Sequence, residues 1–203
     1  GGNAGLYTVL ASKVKGMQVI VYEPIRETYS RLMANINLNN IGHKVIARNI
    51  GLSDSIGVLR FTNSHDATNH VVCDGTDAGA TEVVSVNLLD SDLSEYKVRP
   101  TIMKIDVEGF ELPVLRGASQ LLSSLDLKVI IIELNSSGEK FGYADSDVIS
   151  YISSFGFTMC NYDPNINCVK VSDGKITRQN MIFVRSLDEV NSRFLVSREQ
   201  YYC

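Results

Sequence analysis

The chain has 203 residues, 44% of them hydrophobic, with near-zero mean hydropathy and a formal net charge of −4. That is enough to bury an ordinary core and predicts one globular domain over 1–203. No apolar run approaches the ~18 residues that cross a bilayer, no secretory signal opens the chain, and no clustered Lys/Arg surface suits a phosphate backbone; a soluble, cytoplasmic protein partnered by neither membrane nor nucleic acid is expected. In chain order, the patterning predicts a helix near 4–14, a strand at 17–22, a helix at 25–39 and strands at 44–49, 57–62, 82–86 and 101–106. A helix at 111–123, a strand at 128–134, a helix at 145–155 and a strand at 157–161 follow. The alternation points to a doubly wound, mostly parallel α/β sheet. Strands at 166–171 and 180–185, joined by Asp173-Gly174, read as an antiparallel hairpin, and 187–203 as a terminal helix with a polar tail. Residues 63–81, polar and rich in Gly, Asp, Thr and Asn, are long enough to predict a lid or substrate loop. The four cysteines, at 73, 160, 168 and 203, have no zinc-finger spacing; Cys160 and Cys168 could face each other across a hairpin, but two reduced thiols are expected there.

The most informative stretch is TIMKIDVEGFELPVLRGA, residues 101–118. Its apolar run (Ile102, Met103, Ile105) reads as a buried strand, after which Asp106, Glu108 and Glu111 crowd around Gly109. In a parallel α/β sheet the ligand crevice lies beyond the carboxyl ends of the strands, so these acids stand where chemistry occurs. Leu112, Leu115, Ala118, Leu121 and Leu122 then recur at helical spacing, and Pro113 is tolerated in the first turn. Lys104 shares a strand face with Asp106, and a lysine in a buried strand needs a partner, Asp106 or Glu133. Glu133 ends the apolar run IIIEL and should enter the same crevice. Two carboxylates there can raise one another's pKa and leave one as a proton acceptor. The same oxygens suit magnesium or calcium, but the signal is too generic to assign a metal.

At the amino end, Gly2, Asn3 and Gly5 open a helix with an expected apolar face of Leu6, Val9 and Leu10; small residues let the backbone approach a ligand there. Glu23, with Pro24 behind it, ends a strand 18 residues after Gly5, close to the separation that places an acid on a ribose diol. A carboxylate suits both hydroxyls because it accepts two hydrogen bonds at once. His65 and His70 lie in the lid segment, and histidine is a good base near neutral pH; His43 precedes a strand and reads as surface.

The 101–118 string, the Gly2-Asn3-Gly5 turn, Tyr22-Glu23-Pro24, Asn49 to Asp54 and Glu133 resemble, in that order, the FkbM family of S-adenosylmethionine-dependent methyltransferases. The resemblance implies a Rossmann-like class I methyltransferase fold. It further implies that Gly2, Asn3 and Gly5 hold the methionine carboxylate, that Leu52, Ser53 and Asp54 contact the adenine, and that Asp106 and Glu108 meet the methyl group and the acceptor. Asp106, Glu133, His70 and Lys104 are then the catalytic candidates, S-adenosylmethionine the cofactor, and a hydroxyl on a sugar or secondary metabolite the acceptor. A nicotinamide-dependent oxidoreductase is the rival reading, although the glycines do not make GxGxxG; an inactive methyltransferase-like binding module is another. In such folds the glycine turn follows a first strand in mid-sheet, and nothing precedes Gly1. A truncated amino end is therefore expected, with open edges on strands 17–22 and 101–106 that favour a homo-oligomer.

Overall fold

The computed structural model describes residues 1–63, 69–72, 79–174 and 180–201, with side chains as far as Phe194. His65 and most of the expected lid segment lie outside the described residues. Two compact units divide the chain, Gly1–Asp92 and Leu93–Cys203.

The first unit opens with α1 (Leu6–Val9), which continues as wider π-type turns over Leu10–Val14. Strand β1 (Val19–Tyr22) and helix α2 (Arg26–Leu38) follow, then β2 (Val45–Arg48), β3 (Gly51–Leu52), β4 (Gly57–Thr62), β5 (Thr81–Asn87) and α3 (Leu89–Leu93). Strands β1 and β2 pair in parallel from Val19↔Val45 to Tyr22↔Arg48. In a second sheet β5 pairs in parallel with β3 and antiparallel with β4. Helix α2 buries Thr28, Leu32 and Ile36, residues four apart and so on one face; Leu32 and Ile36 close over Val21 and Ile41.

The first helix does not present the expected apolar face. Leu6 and Leu10 are exposed while Thr8 and Ser12 are buried. Ser12 donates its hydroxyl to the Met17 carbonyl, and the Lys15 N–H bonds five residues back to Leu10, so polar groups satisfied by backbone occupy the inner side. Part of the 63–81 segment is also more regular than a free loop. The Thr62 N–H donates to the His70 carbonyl, the Val72 N–H to the Arg60 carbonyl, and Val71 bridges Phe61, so 69–72 runs antiparallel beside β4.

The second unit contains β6 (Ile102–Ile105), α4 (Glu111–Arg116), α5 (Ser119–Ser123), β7 (Val129–Glu133), α6 (Asp145–Ser154), β8 (Thr158–Asp163), β9 (Cys168–Val171), β10 (Asn180–Val184) and α7 (Leu187–Tyr201). The expected helix 111–123 is two short helices with a break at Gly117-Ala118, where a poor helix former meets a tightened turn, Ala118 N–H to Leu115 carbonyl. The sheet order is β6-β7-β10-β8-β9. The 166–171/180–185 hairpin does not form: β9 pairs back onto β8, and β10 inserts antiparallel between β7 and β8. The apolar row Met181, Phe183, Val184 belongs in a strand buried on both flanks, whereas Lys170 and Val171 of β9 are exposed and suit an edge. Cys160 and Cys168 are free thiols; the register sets Cys160 opposite Val171 and Cys168 opposite Asp163, which keeps them apart.

Among the described residues β1 pairs only with β2, and β6 only with β7. No helix among them is long and apolar enough to cross a membrane. Phe183 is fully buried at the centre of the five-stranded sheet. Phe183→Ala should lower the unfolding free energy by about 3–5 kcal/mol, measured by urea titration; a loss below about 1 kcal/mol would contradict the central placement of β10.

Candidate active site

In the first unit the strand end at Glu23 and the glycine turn are tied together. The Gly2 N–H donates to the Tyr22 carbonyl at 2.7 Å, and a Cβ on Gly2 would stand 2.5 Å from Val21 Cγ2, so only glycine lies this close to β1. Asn3 and Gly5 have φ of 46° and 92°, left-handed values that make the turn curl into α1. Glu23 is 5% exposed. One carboxylate oxygen accepts the Asn3 N–H at 2.8 Å and the other the Ile25 N–H at 3.1 Å. The Gly2 N–H and the amino-terminal charge also act on this carboxylate. Burial pushes this carboxyl above the usual glutamate range, against the pull of the backbone N–H groups.

The backbone beneath Glu23 is fixed from β2. Its N–H donates to the Arg48 carbonyl, and the Asn49 side chain donates to the carbonyls of Glu23 and Pro24 at 2.8 and 2.9 Å. Arg48 forks onto Asp92, which is fully buried and also accepts from the Tyr22 hydroxyl at 2.8 Å. Asn49 is among the residues that carry the family resemblance, but its bracing role, like the Arg48–Asp92–Tyr22 network, depends on pairings between residues far apart in sequence.

Leu52 ends β3 and is half-buried; Ser53 is buried, its N–H bonded to the Asn87 carbonyl, and Asp54 is exposed beyond it, accepting from the Ser53 hydroxyl. His70 lies elsewhere in the unit. Its N–H and carbonyl pair with Thr62 at the far end of β4, whereas Gly57, at the near end, sits beside Val86, whose other neighbour is Gly51. Five strand steps of ~3.4 Å put His70 about 17 Å from the Leu52–Asp54 end. His70 is thus held at the Thr62 end of β4 and not at the Leu52–Asp54 end of the same unit.

In the second unit the acidic turn after β6 is the organised feature. Lys104 Nζ lies 2.7 Å from Asp106 Oδ2, both side chains partly buried, the partner its strand face predicted. Glu108 and Gly109 have φ of 53° and 100°. The Gly109 N–H donates to Glu111 Oε1 at 3.0 Å, and the Tyr143 hydroxyl donates to the Gly109 carbonyl while accepting the Leu112 N–H at 3.3 Å. A Cβ at Gly109 would collide with the Ser137 carbonyl. Glu111 is buried, which raises its pKa; burial, reinforced by Glu111, likewise pushes the Tyr143 phenol up.

Glu108 is raised first by burial, then by the neighbouring carboxylates Asp106 and Glu133, while Lys140 and a hydrogen bond with Asn135 pull it down. Glu108 therefore feels both Asp106 and Glu133. Among the described residues no three His, Cys, Asp or Glu side chains gather closely enough to hold a metal ion. Tyr143, Asn135 and Lys140 were not foreseen: nothing in a Gly-Tyr pair ten residues past a strand ties it to a turn more than thirty residues earlier.

The raised Glu108 has a stability consequence with a definite sign. A carboxyl whose folded pKa exceeds its unfolded value favours folding below the ordinary glutamate range and loses that contribution as pH rises through the window up to the folded value. Glu108→Gln lacks this loss. The melting temperature of the variant minus that of the parent should climb from pH 4 toward neutrality and then level off, in thermal melts at fixed ionic strength; a difference independent of pH would refute the clustering.

Residues 1–159 match the family described as Methyltransferase FkbM domain. Over 140 residues the chain is 31% identical to Hexuronic acid methyltransferase AglP of Haloferax volcanii, an alignment that covers 67% of this chain and 54% of that protein; the chain thus spans about half the length of the curated relative it matches. The crystal structure of Methyltransferase FkbM from Methylobacillus flagellatus KT superposes with a TM-score of 0.57 at 16% identity, over 91% of this chain and 41% of that one. The METTL16 MTase domain gives 0.51 at 13% identity, over 92% and 58%. At such identities the two structures speak to the fold alone, which is the Rossmann-like methyltransferase fold that the family resemblance implied. The chain belongs to the FkbM methyltransferase domain family.

Proposed function

We propose that the chain transfers a methyl group from S-adenosylmethionine to a hydroxyl oxygen of a sugar, with a uronic acid as the favoured acceptor class. The observation that carries the reading is the rigid acidic turn Asp106–Gly109, held beside the carboxylate of Glu133. Family membership and the hexuronic acid methyltransferase named above support it, and favour it over a nicotinamide-dependent oxidoreductase.

The glycine turn fits the cofactor. A small backbone at Gly2, Asn3 and Gly5, left-handed at Asn3 and Gly5, leaves room for the methionine end, and the Glu23 carboxylate at the neighbouring strand end is the acceptor for the ribose hydroxyls. Leu52, Ser53 and Asp54 are the residues for the adenine. When bound, S-adenosylmethionine supplies an electrophilic methyl group on a sulfonium.

The protein's own task is to orient the acceptor and take its proton. An alcohol is a weak nucleophile at neutral pH, and a carboxylate of raised pKa is a better proton acceptor than an ordinary one. Asp106 is held by Lys104, so Glu108 and Glu133 are the groups best placed to accept the proton, with Asp106 orienting the hydroxyl. A uronate would turn its hydroxyl to this cluster and its carboxylate away, because like charges repel and the nearby cations, Lys104 and Lys140, already face carboxylates.

Calorimetry with S-adenosylhomocysteine and a methyl-transfer assay on a glucuronic-acid-terminated oligosaccharide test both parts. Glu23→Ala should weaken binding by ~1.5–3 kcal/mol. Asp106→Asn and Glu133→Gln should lower turnover about a hundredfold with affinity for S-adenosylhomocysteine little changed. A well-folded sample that binds no S-adenosylhomocysteine would overturn the reading and favour a non-catalytic binding module.

A further inference from the structure

Gly109 is fixed on both sides. The peptide plane before it is held by its N–H on the Glu111 carboxylate, and the plane after it by its carbonyl on the Tyr143 hydroxyl. These two contacts bracket the left-handed step from Glu108 to Gly109, a conformation that costs a non-glycine residue of order 1 kcal/mol or more and persists only where its surroundings impose it. Tyr143 reaches the turn because two glycines make space. A Cβ on Gly138 would run into the Tyr143 ring, and one on Gly109 into the Ser137 carbonyl.

The loop that carries Tyr143 is braced in turn. Asp145 accepts the Ser136 N–H at 3.1 Å, Asn135 Oδ1 accepts the Ser137 N–H at 3.0 Å, and Asp147 accepts the Ala144 N–H at 2.8 Å. The Phe110 and Phe141 rings meet edge-on at 5.1 Å, adding an apolar contact between the acidic turn and the same loop. Tyr143 therefore stands on a fixed support.

We propose that Tyr143 is a positioning residue for Glu108: its hydroxyl bolts the Gly109 carbonyl to the loop after β7 and so directs the Glu108 carboxylate toward Asp106, Glu133 and Asn135. The role rests on the functional reading above for its catalytic meaning, but its geometry can be tested alone. The charged groups that act on Glu108 are Asp106 on its own turn, Glu133 at the end of β7 and Lys140 on the loop. Releasing the turn lets the carboxylate swing into solvent and away from the two acids.

The experiment is site-resolved carbon-13 NMR titration of Glu108 in the full chain, assigned with Glu108→Gln, beside kinetics and calorimetry. In Tyr143→Phe the Glu108 midpoint should fall toward the ordinary glutamate range and turnover should drop about tenfold to a hundredfold, while affinity for S-adenosylhomocysteine stays within about twofold. Gly138→Ala, which displaces the ring and keeps the hydroxyl, should move Glu108 the same way and serves if Tyr143→Phe does not fold. Phe183→Leu, a core change that weakens the fold without touching the turn, should leave the midpoint where it is. A Glu108 midpoint unchanged in both Tyr143→Phe and Gly138→Ala, or moved equally by Phe183→Leu, would overturn the proposal. A shifted midpoint in a protein that transfers no methyl group would retain the positioning role and sink the methyl-transfer reading instead.

Discussion

A buried carboxylate that accepts the N–H groups of the turn beside it is the interaction on which both units depend. Glu23 does this for Asn3 and Ile25, and Glu111 for Gly109. Each closes a turn containing left-handed residues, Asn3 and Gly5 in one and Glu108 and Gly109 in the other. In each turn one N–H, that of Asn3 or of Gly109, is turned onto the carboxylate. Without such an acceptor these donors would need water, and the turns would lose their reason to hold a strained shape.

The arrangement carries a desolvation cost at both acids. Burial raises Glu23 and Glu111, and the backbone N–H groups offset it only in part. The charged native state is thus held at a higher free energy than it would have with both acids in water. A site gains from this, since dipoles fixed before a ligand arrives need no reorganisation when charge develops.

The alternation of elements, the strand-end acids and the Lys104–Asp106 pair were legible in the sequence because each is a local pattern. Period-two alternation places Lys104 and Asp106 on one face without any knowledge of the fold. Three features were not legible. The inward face of α1 depends on the π-type turns from Leu10 to Val14, which rotate the helix relative to a regular 3.6-residue repeat. The place of β10 depends on a choice between two partners, and the turn signal at Asp173-Gly174 argued for the local one, whereas burial of Phe183 decided for the other. The far-end position of His70 follows from β4 running against β5, and a histidine in a polar segment carries no sign of which end of a sheet it will reach.

The insertion of β10 bears on the acids as well. Strand β7 pairs with β6 up to Ile105↔Ile132 and with β10 as far as Glu133↔Asn180, so the backbone that carries Glu133 is anchored by β10. Strand β6 has one neighbour among the described residues, and Asp106 lies just beyond its last paired residue, Ile105. What the sheet does not supply there, side chains do: Lys104 holds the Asp106 carboxylate, and Tyr143 and Glu111 hold the backbone that follows. One acid of the cluster is thus set by sheet pairing and two by side-chain clamps. Since ladder hydrogen bonds tolerate substitution at the side-chain level while clamps do not, changes in the loop from 135 to 143 should disturb Glu108 before they disturb Glu133, and Asp106, held by Lys104, should follow neither.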